Sequence, residues 1–485
     1  MSDYKHGVYG EKGSESNVVD TTQVTTPIYI GTAPIFRLDA SKLANIKIFK
    51  NTDVAMALIT SNKDVKNLNL MSDDWESYSL CEVFDVHFKH DKPIAPFIII
   101  TPLGKLAAET KSQSIALTKS GTSYIGYLDD AKATIDNMAI SVASATLGTG
   151  DVSYGYDGDR IKIVITKENF NANSVEVSYR QIATSKMDVA TFKKCLEIAD
   201  RAESVTNRIP NILCAPQYSS EPQYHDLMMQ KALEKIDEKW NLVVASDIGQ
   251  SDGIAAAIAW KKTNSYNGVL EKVCFPKLGY AGKKYHMSVI WTAAVQNIDM
   301  EYDNIPCKSA SNTAVFADSI ISNIDDTVMY FSEAEANELN KNGIMTAITT
   351  KGQIRLWGSH MGNYDFENLS NIAIEDRFDV AVRMSAYIQN YLQYNHLDEI
   401  DESITRKDID SIINSVQMWL DSLVNEGKLL YATVEFDADS DLANGDIVFH
   451  VNVTYPCVVK SITFKVIHTN KGLSVFTTTG EGVVA

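Results

Sequence analysis

Three short apolar runs, IPNILC (209–214), LVVA (242–245) and VCF (273–275), decide the fold class. None of the three alternates polar with apolar residues. They read as strands buried on both faces, as in a parallel sheet. Between and before them lie stretches with helical spacing, Val189 to Ala202, Gln223 to Lys239 and Gly253 to Lys261. Strand and helix in regular alternation predict a mostly parallel sheet covered by helices.

Working toward the N-terminus, IAPFIII (94–100) is another continuous apolar run, and TPIYIG (26–31) reads as a further core strand closed by the turn Thr32-Ala33-Pro34. Val54 to Ile59 adds an apolar run, followed by a predicted helix over Trp75 to His87. Between residues 105 and 185 the pattern changes to period two. Ile161, Ile163 and Ile165 fall on one side of a strand, and Val175, Val177 and Tyr179 do so in another. Asp157-Gly158 is a hairpin signal between such strands. This stretch reads as a small β module inserted into an α/β domain that runs over 27–104 and 186–355. Residues 1–26 are polar, and alone they bury too little to offset the entropy of ordering, so they read as an arm.

Toward the C-terminus, residues 356–470 read as an α+β domain. Phe378, Val382, Ser385, Ile388 and Leu392 share one helical face over Glu375 to His396. Ile409, Ile412, Val416, Trp419 and Leu423 share another over Lys407 to Glu426. Thr405 with Asp408 predicts a capping box, and Gly427 a helix stop. Three strands are predicted next, around Val434 and Phe436, over 446–455, and over 460–468 with Ile462, Phe464 and Val466 on one face. Leu473 to Thr479 is strand-like, and residues 471–485 read as a second arm.

Charge and motifs exclude several classes of function. A net charge of −18 repels phosphate backbones, so no direct nucleic-acid partner is expected. The N-terminus lacks the apolar core of a secretory signal, and no run is long enough to span a bilayer, so no membrane partner is expected. Six cysteines, spread from 81 to 457, form no CxxC or Cys/His cluster and read as buried thiols. Asp437, Asp439 and Asp441 resemble the start of a calcium loop, but Leu442 and Val448 stand where that loop needs Gly and Glu. His87 and His90 lack a third ligand at metal spacing. Asp247 and Asp252 follow a strand, where α/β sheets place ligands; Ser251 or Asp252 as the cap of the next helix is the simpler account. No nucleophile elbow, phosphate loop or dinucleotide fingerprint is present. The chain therefore reads as a non-enzyme with no cofactor and no metal; the alternatives are a soluble α/β hydrolase or protease using Asp252 and one of the nine histidines, or another virion component such as a baseplate protein.

Four segments, in order, resemble the contractile tail sheath family of bacteriophages and phage-like bacteriocins. They are YKHGV (4–8), TPIYIGTAP (26–34), LNKNGI (339–344) followed by WG (357–358), and DVAVR (379–383) leading to YIQ (387–389). The resemblance implies a subtilisin-like topology for the α/β middle domain and a tube-proximal C-terminal domain. It also implies terminal arms that add strands to neighbouring subunits, an arrangement in which unpaired edge groups find partners. Tyr4, Val8, Tyr9, Val475, Phe476, Phe449, Val451 and Phe464 are the expected strand-exchange residues. Arg377, Arg383, Arg406 and Lys407 are the expected tube contacts. The implied partners are further copies in a helical sheath of stacked rings, an inner tail tube protein, and baseplate and tail terminator proteins. The implied location is a virion tail or phage-like particle assembled in the bacterial cytoplasm.

Overall fold

The computed structural model describes residues 24–38, 46–49, 53–89, 92–103, 108–182, 186–442, 445–456 and 458–469. In chain order the first strands are β1 (Pro27–Ile30), β2 (Lys47–Phe49), β3 (Val54–Ile59) and β4 (Phe97–Pro102). Helices α1 (Asn62–Asn67) and α2 (Leu80–Phe88) lie between β3 and β4. The predicted helix from Trp75 thus starts later: Ser77 N–H donates to Asp74 Oδ1, and the Trp75 indole donates to the carbonyl of Ser72, a turn that competes with the helix.

Residues 108–182 form two four-stranded antiparallel sheets. One contains β5 (Ala108–Ala116), β12 (Ser174–Ile182), β8 (Ala133–Val142) and β9 (Ala145–Thr146); the other contains β10 (Val152–Asp157), β11 (Arg160–Ile165), β7 (Ser123–Leu128) and β6 (Thr118–Ser120). Ile115, Ile140, Val175 and Val177 from the first sheet bury against Leu128, Ile161, Ile163 and Ile165 from the second. The period-two reading places these residues inward because successive side chains of a strand point to opposite faces. Asp157 pairs with Arg160, and Gly158 in the two-residue turn between them has φ of 65°.

The alternation resumes with α3 (Val189–Ala199), α4 (Ala202–Thr206), β13 (Ile212–Cys214), α5 (Pro222–Glu234), β14 (Val243–Asp247), α6 (Gly253–Thr263) and β15 (Glu271–Cys274). A small antiparallel sheet follows from β16 (Lys277–Tyr280), β17 (Lys283–Tyr285), β18 (Ser319–Ile321) and β19 (Val328–Met329), with α7 (Met287–Glu301) after β17. Then come α8 (Glu333–Lys341), β20 (Ile344–Thr350) and β21 (Gln353–Trp357).

The main sheet has the order β2-β3-β4-β1-β13-β14-β15-β20-β21. The run from β4 to β20 is parallel, and the outer strands β3 and β21 pair antiparallel to it. In β1, Tyr29 enters the core shared with α2 and α7, whereas Ile28 and Ile30 enter the opposite core with α3 and α5. Both faces of the strand are covered, which is why its sequence is apolar throughout.

Two glycines of the quoted LNKNGI and WG motifs have conformational reasons. Gly343 has φ of 65°, and a Cβ there would lie 2.5 Å from the carbonyl oxygen of Met361. Gly358 has φ of 133° and packs against the Asn340 amide. Oriented by its acceptors, that amide donates to the carbonyls of Ile344 (2.9 Å) and Trp357 (3.0 Å), tying the end of α8 to β20 and β21. Asp252 stands at the N-cap of α6 without a side-chain hydrogen bond, so the capping expected there is positional only.

Candidate assembly interface

The last part of the described chain consists of α9 (Asp379–Asn395), α10 (Arg406–Asn425), β22 (Tyr431–Phe436) and β23 (Phe449–Thr454). Thr405 and Asp408 form the expected capping box of α10, with Thr405 N–H donating to Asp408 Oδ2 at 2.8 Å. Gly427 follows the helix with φ of 73°. Met384 and Ile388 of α9, Val416, Leu420 and Leu423 of α10, and Ala432 and Val434 of β22 share one core, against which Phe449, Val451 and Val453 of β23 pack.

β22 and β23 make a two-stranded antiparallel sheet, with Phe436 opposite Phe449 and Val434 opposite Val451. In an antiparallel ladder alternate residues turn their backbone groups to opposite sides. On the side of β22 away from β23, Gln417 of α10 donates to the Ala432 carbonyl at 3.2 Å and accepts from the Val434 N–H at 3.1 Å. One edge is thereby partly closed by a side chain. The outer edge of β23 pairs with no strand among the described residues. The turn joining the two strands is held by Asp437, whose carboxylate accepts from the Asp439 N–H (2.8 Å) and pairs with His450 (2.9 Å). These contacts hold the Asp437 carboxyl below its ordinary pKa. Asp437, Asp439 and Asp441 thus lie in the polar connection between β22 and β23.

The expected third strand over 460–468 is a correction. Residues 458–469 are in no strand, and the apolar side chains from Val459 onward face solvent: Phe464 is 86% exposed and Val466 95%. Ile462 and Ile467 are exposed as well. The alternating sequence fits a strand, but a strand forms only when a neighbour takes up its N–H and C=O groups. Lys460 Nζ, 4.9 Å from the Phe366 ring centroid, anchors the start of this segment. Phe464 thus lies in a stretch outside any strand, and Phe449 and Val451 lie on the open-edged strand. Tyr4, Val8, Tyr9, Val475 and Phe476 lie outside the described residues.

The four expected tube-contact cations divide. Arg406 and Lys407 are exposed in the first turn of α10. Arg377 is half-buried and donates to the carbonyls of Leu369 and Ile372, closing its own loop. Arg383 is 6% exposed and pairs with the buried carboxylate of Asp299. A charge already desolvated and paired inside the protein is not offered to an outside partner, so Arg383 is withdrawn from that set.

Asp299, on α7, has no sequence signal of its own, yet it joins three parts of the chain. Besides Arg383 of α9, it accepts a hydrogen bond of 2.8 Å from Thr25 Oγ1, just before β1. Gln296 of the same helix donates to the Thr25 carbonyl at 2.9 Å. The chain entering β1 and the helix α9 are therefore fixed to one helix of the central body.

No protein-family model matches the chain. Over 133 residues it is 29% identical to the major tail sheath protein of Serratia phage KSP20. That match spans 27% of this chain and 30% of the relative's length. A chain of the anti-feeding prophage baseplate superposes with a TM-score of 0.56 at 11% identity, covering 96% of this chain and 100% of that one. This likeness is one of fold. A sheath tail protein from Desulfitobacterium hafniense aligns over 93% of this chain and 100% of its own, at 10% identity and a TM-score of 0.48.

Proposed function

We propose that this protein is the structural subunit of a contractile tail sheath, and that it polymerises around an inner tail tube and contracts to drive the tube through a bacterial envelope. The observation that carries this reading is the stretch 459–468, which is in no strand and exposes Ile462, Phe464, Val466 and Ile467, together with a two-stranded sheet whose β23 edge pairs with no strand among the described residues. A strand laid on that edge from another copy takes up the backbone groups of β23 that face away from β22, the mode of β-augmentation. It also removes Phe464 and Val466 from water.

About five backbone hydrogen bonds at ~0.5–1.5 kcal/mol each give a single contact a few kcal/mol before the ordering loss. Such a contact leaves a free subunit soluble, and repetition around a lattice supplies avidity. Residues 1–26 and 471–485 act in this reading as arms that weave rings together. Contraction is then rigid-body movement of the folded parts about those tethers. Arg406 and Lys407 are the cations that face the tube. Baseplate and tail terminator proteins close the two ends, and assembly takes place in the cytoplasm of the bacterial host.

The division into a middle α/β domain (27–104 and 186–355), an inserted β domain (105–185) and a C-terminal domain (356–470) belongs to the same reading. Numbering β1, β3, β4, β13, β14, β15 and β20 as 1 to 7 gives the spatial order 2-3-1-4-5-6-7. That order supports a subtilisin-like topology for the middle domain, with its second strand reversed. Fold alone brings no activity with it.

Electron microscopy of the purified chain in negative stain tests the proposal. Long hollow sleeves are expected. A monodisperse small particle across a range of concentration and salt would remove the sheath reading.

A further inference from the structure

Beyond β23 the chain meets two aromatic rings of the loop that leads into α9. Lys460 places its Nζ 4.9 Å from the Phe366 ring centroid and 5.9 Å from that of Tyr364. The same ammonium donates to the Tyr364 hydroxyl at 3.4 Å, a long contact across 96 residues of sequence. Past this point Ile462, Phe464, Val466 and Ile467 stand in solvent.

The aromatic shelf is held in place from below. The carbonyls of Gly358 and His360 accept from buried Lys272, and that of Gly362 accepts from Lys261. The N–H groups of Gly362 and Asn363 donate to the carbonyls of Glu271 (2.6 Å) and Gly268 (3.1 Å). Tyr364 is 4% exposed and stacks on His360, with ring centroids 3.4 Å apart. Burial pushes the His360 pKa down to about 4, so that ring is neutral at pH 7 and does not repel the ammonium. Phe366 is 48% exposed, yet its turn is fixed: Asp365 accepts from the Glu367 N–H (3.0 Å) and the Asn368 amide (2.7 Å). An exposed ring on a fixed turn with an ammonium beside it is a cation–π contact.

Adding a strand to a neighbour loses free energy to the ordering of the donated residues, and a segment fixed at its start loses less. We propose that Lys460 is a positioning residue: anchored on the Tyr364–Phe366 shelf, it sets where residues 461–468 leave the folded body and so presents them to another copy. The anchoring stands by itself; the presentation rests on the sheath reading. An exposed cation–π contact shifts a population about two- to fivefold, which sets the size of every effect expected here.

Chymotryptic cleavage after Phe464, followed by mass spectrometry on the full chain, tests the anchor, because cleavage follows the population of released segment. Lys460→Ala and Phe366→Leu should each speed it about two- to fivefold. The double variant should be no faster than either single one, since both remove the same contact. Lys460→Arg should keep the rate of the unaltered protein, because a guanidinium also stacks on an aromatic face. Lys460 and Phe366 are both exposed, so the circular dichroism of all variants should be unchanged. The lowest concentration at which sleeves appear in negative stain should rise by a similar factor in the first two variants and stay the same in Lys460→Arg. Equal cleavage rates in all the proteins overturn the anchor. Faster cleavage with an unchanged assembly threshold overturns the presenting role. If the unaltered protein forms no sleeves at any concentration, the sheath reading falls, and the cleavage rates still decide the anchor.

Discussion

Lys272 Nζ lies 2.9 Å from Asp379 Oδ2, and the two side chains are 0% and 1% exposed. Lys272 is on β15 of the main sheet and Asp379 opens α9, so this one pair joins the central body to the C-terminal helices. The same ammonium donates to the carbonyls of Gly358 (2.9 Å) and His360 (3.0 Å), using all three of its N–H bonds. Lys261 extends the arrangement by donating to the Gly362 carbonyl at 2.7 Å. Alternate carbonyls of the connecting loop are thus held by two buried lysines.

Removing one member of that pair leaves a buried charge without its partner. Lys272→Met should destabilise the protein by about 3–5 kcal/mol, and Asp379→Leu by a similar amount. The double variant should lose clearly less than the sum, since it leaves no orphaned charge. Urea unfolding of the four proteins measures the cycle, and strict additivity would show that the pair is not coupled.

His87 gives the stability a defined pH dependence. It is fully buried, with Nδ1 donating to the Ile94 carbonyl (2.8 Å) and Nε2 accepting from the Tyr29 hydroxyl (2.8 Å). Burial pushes its pKa down to about 4, while the unfolded chain keeps a value of about 6.5. Between these values the unfolded state binds a proton that the folded state refuses. Stability is therefore intact above about pH 6.5 and falls as pH drops toward 4, by on the order of 3 kcal/mol. Denaturant unfolding across that range should show a shallower slope in His87→Gln than in the unaltered protein.

Gly343 is predicted to resist substitution more than its place at a helix end suggests. Gly343→Ala combines a left-handed φ with a Cβ against the Met361 carbonyl oxygen, and a loss of about 2–4 kcal/mol is expected. Gly352, with φ of 74° but open space around it, is the control. Its alanine variant should lose only the conformational part, about 1 kcal/mol.

Assembly should separate from folding at the C-terminal segment. Phe464→Glu with Val466→Glu alters side chains that already face solvent, so stability should stay within about 0.5 kcal/mol of the parent. The same pair should prevent sleeve formation in negative stain, because charge replaces the side chains a neighbouring copy would bury. Sleeves formed by the double variant would exclude strand addition through this segment.

Deletion of residues 1–20 addresses the other arm. Circular dichroism should be unchanged and polymerisation lost. Sleeves that persist after the deletion would show that lattice contacts do not depend on the N-terminal strand exchange.

The sequence by itself determined those features that depend on residues close together in the chain. Apolar runs such as IPNILC announced strands buried on both faces, period two announced the β-rich stretch, and Thr405 with Asp408 announced a cap, because each signal is complete within a turn or a strand. The tertiary structure alone decided what depends on residues far apart. Ile462, Phe464 and Val466 alternate as a strand should, yet strand formation needs a neighbouring strand, and none pairs with them among the described residues. Arg383 looked like a surface charge until α9 brought it to Asp299, 84 residues away. Glu82 and His286, 204 residues apart, became a carboxylate–imidazole pair only when α2 packed beside the start of α7. Periodicity reports which face of an element is buried; it carries no information about which distant group will meet it there.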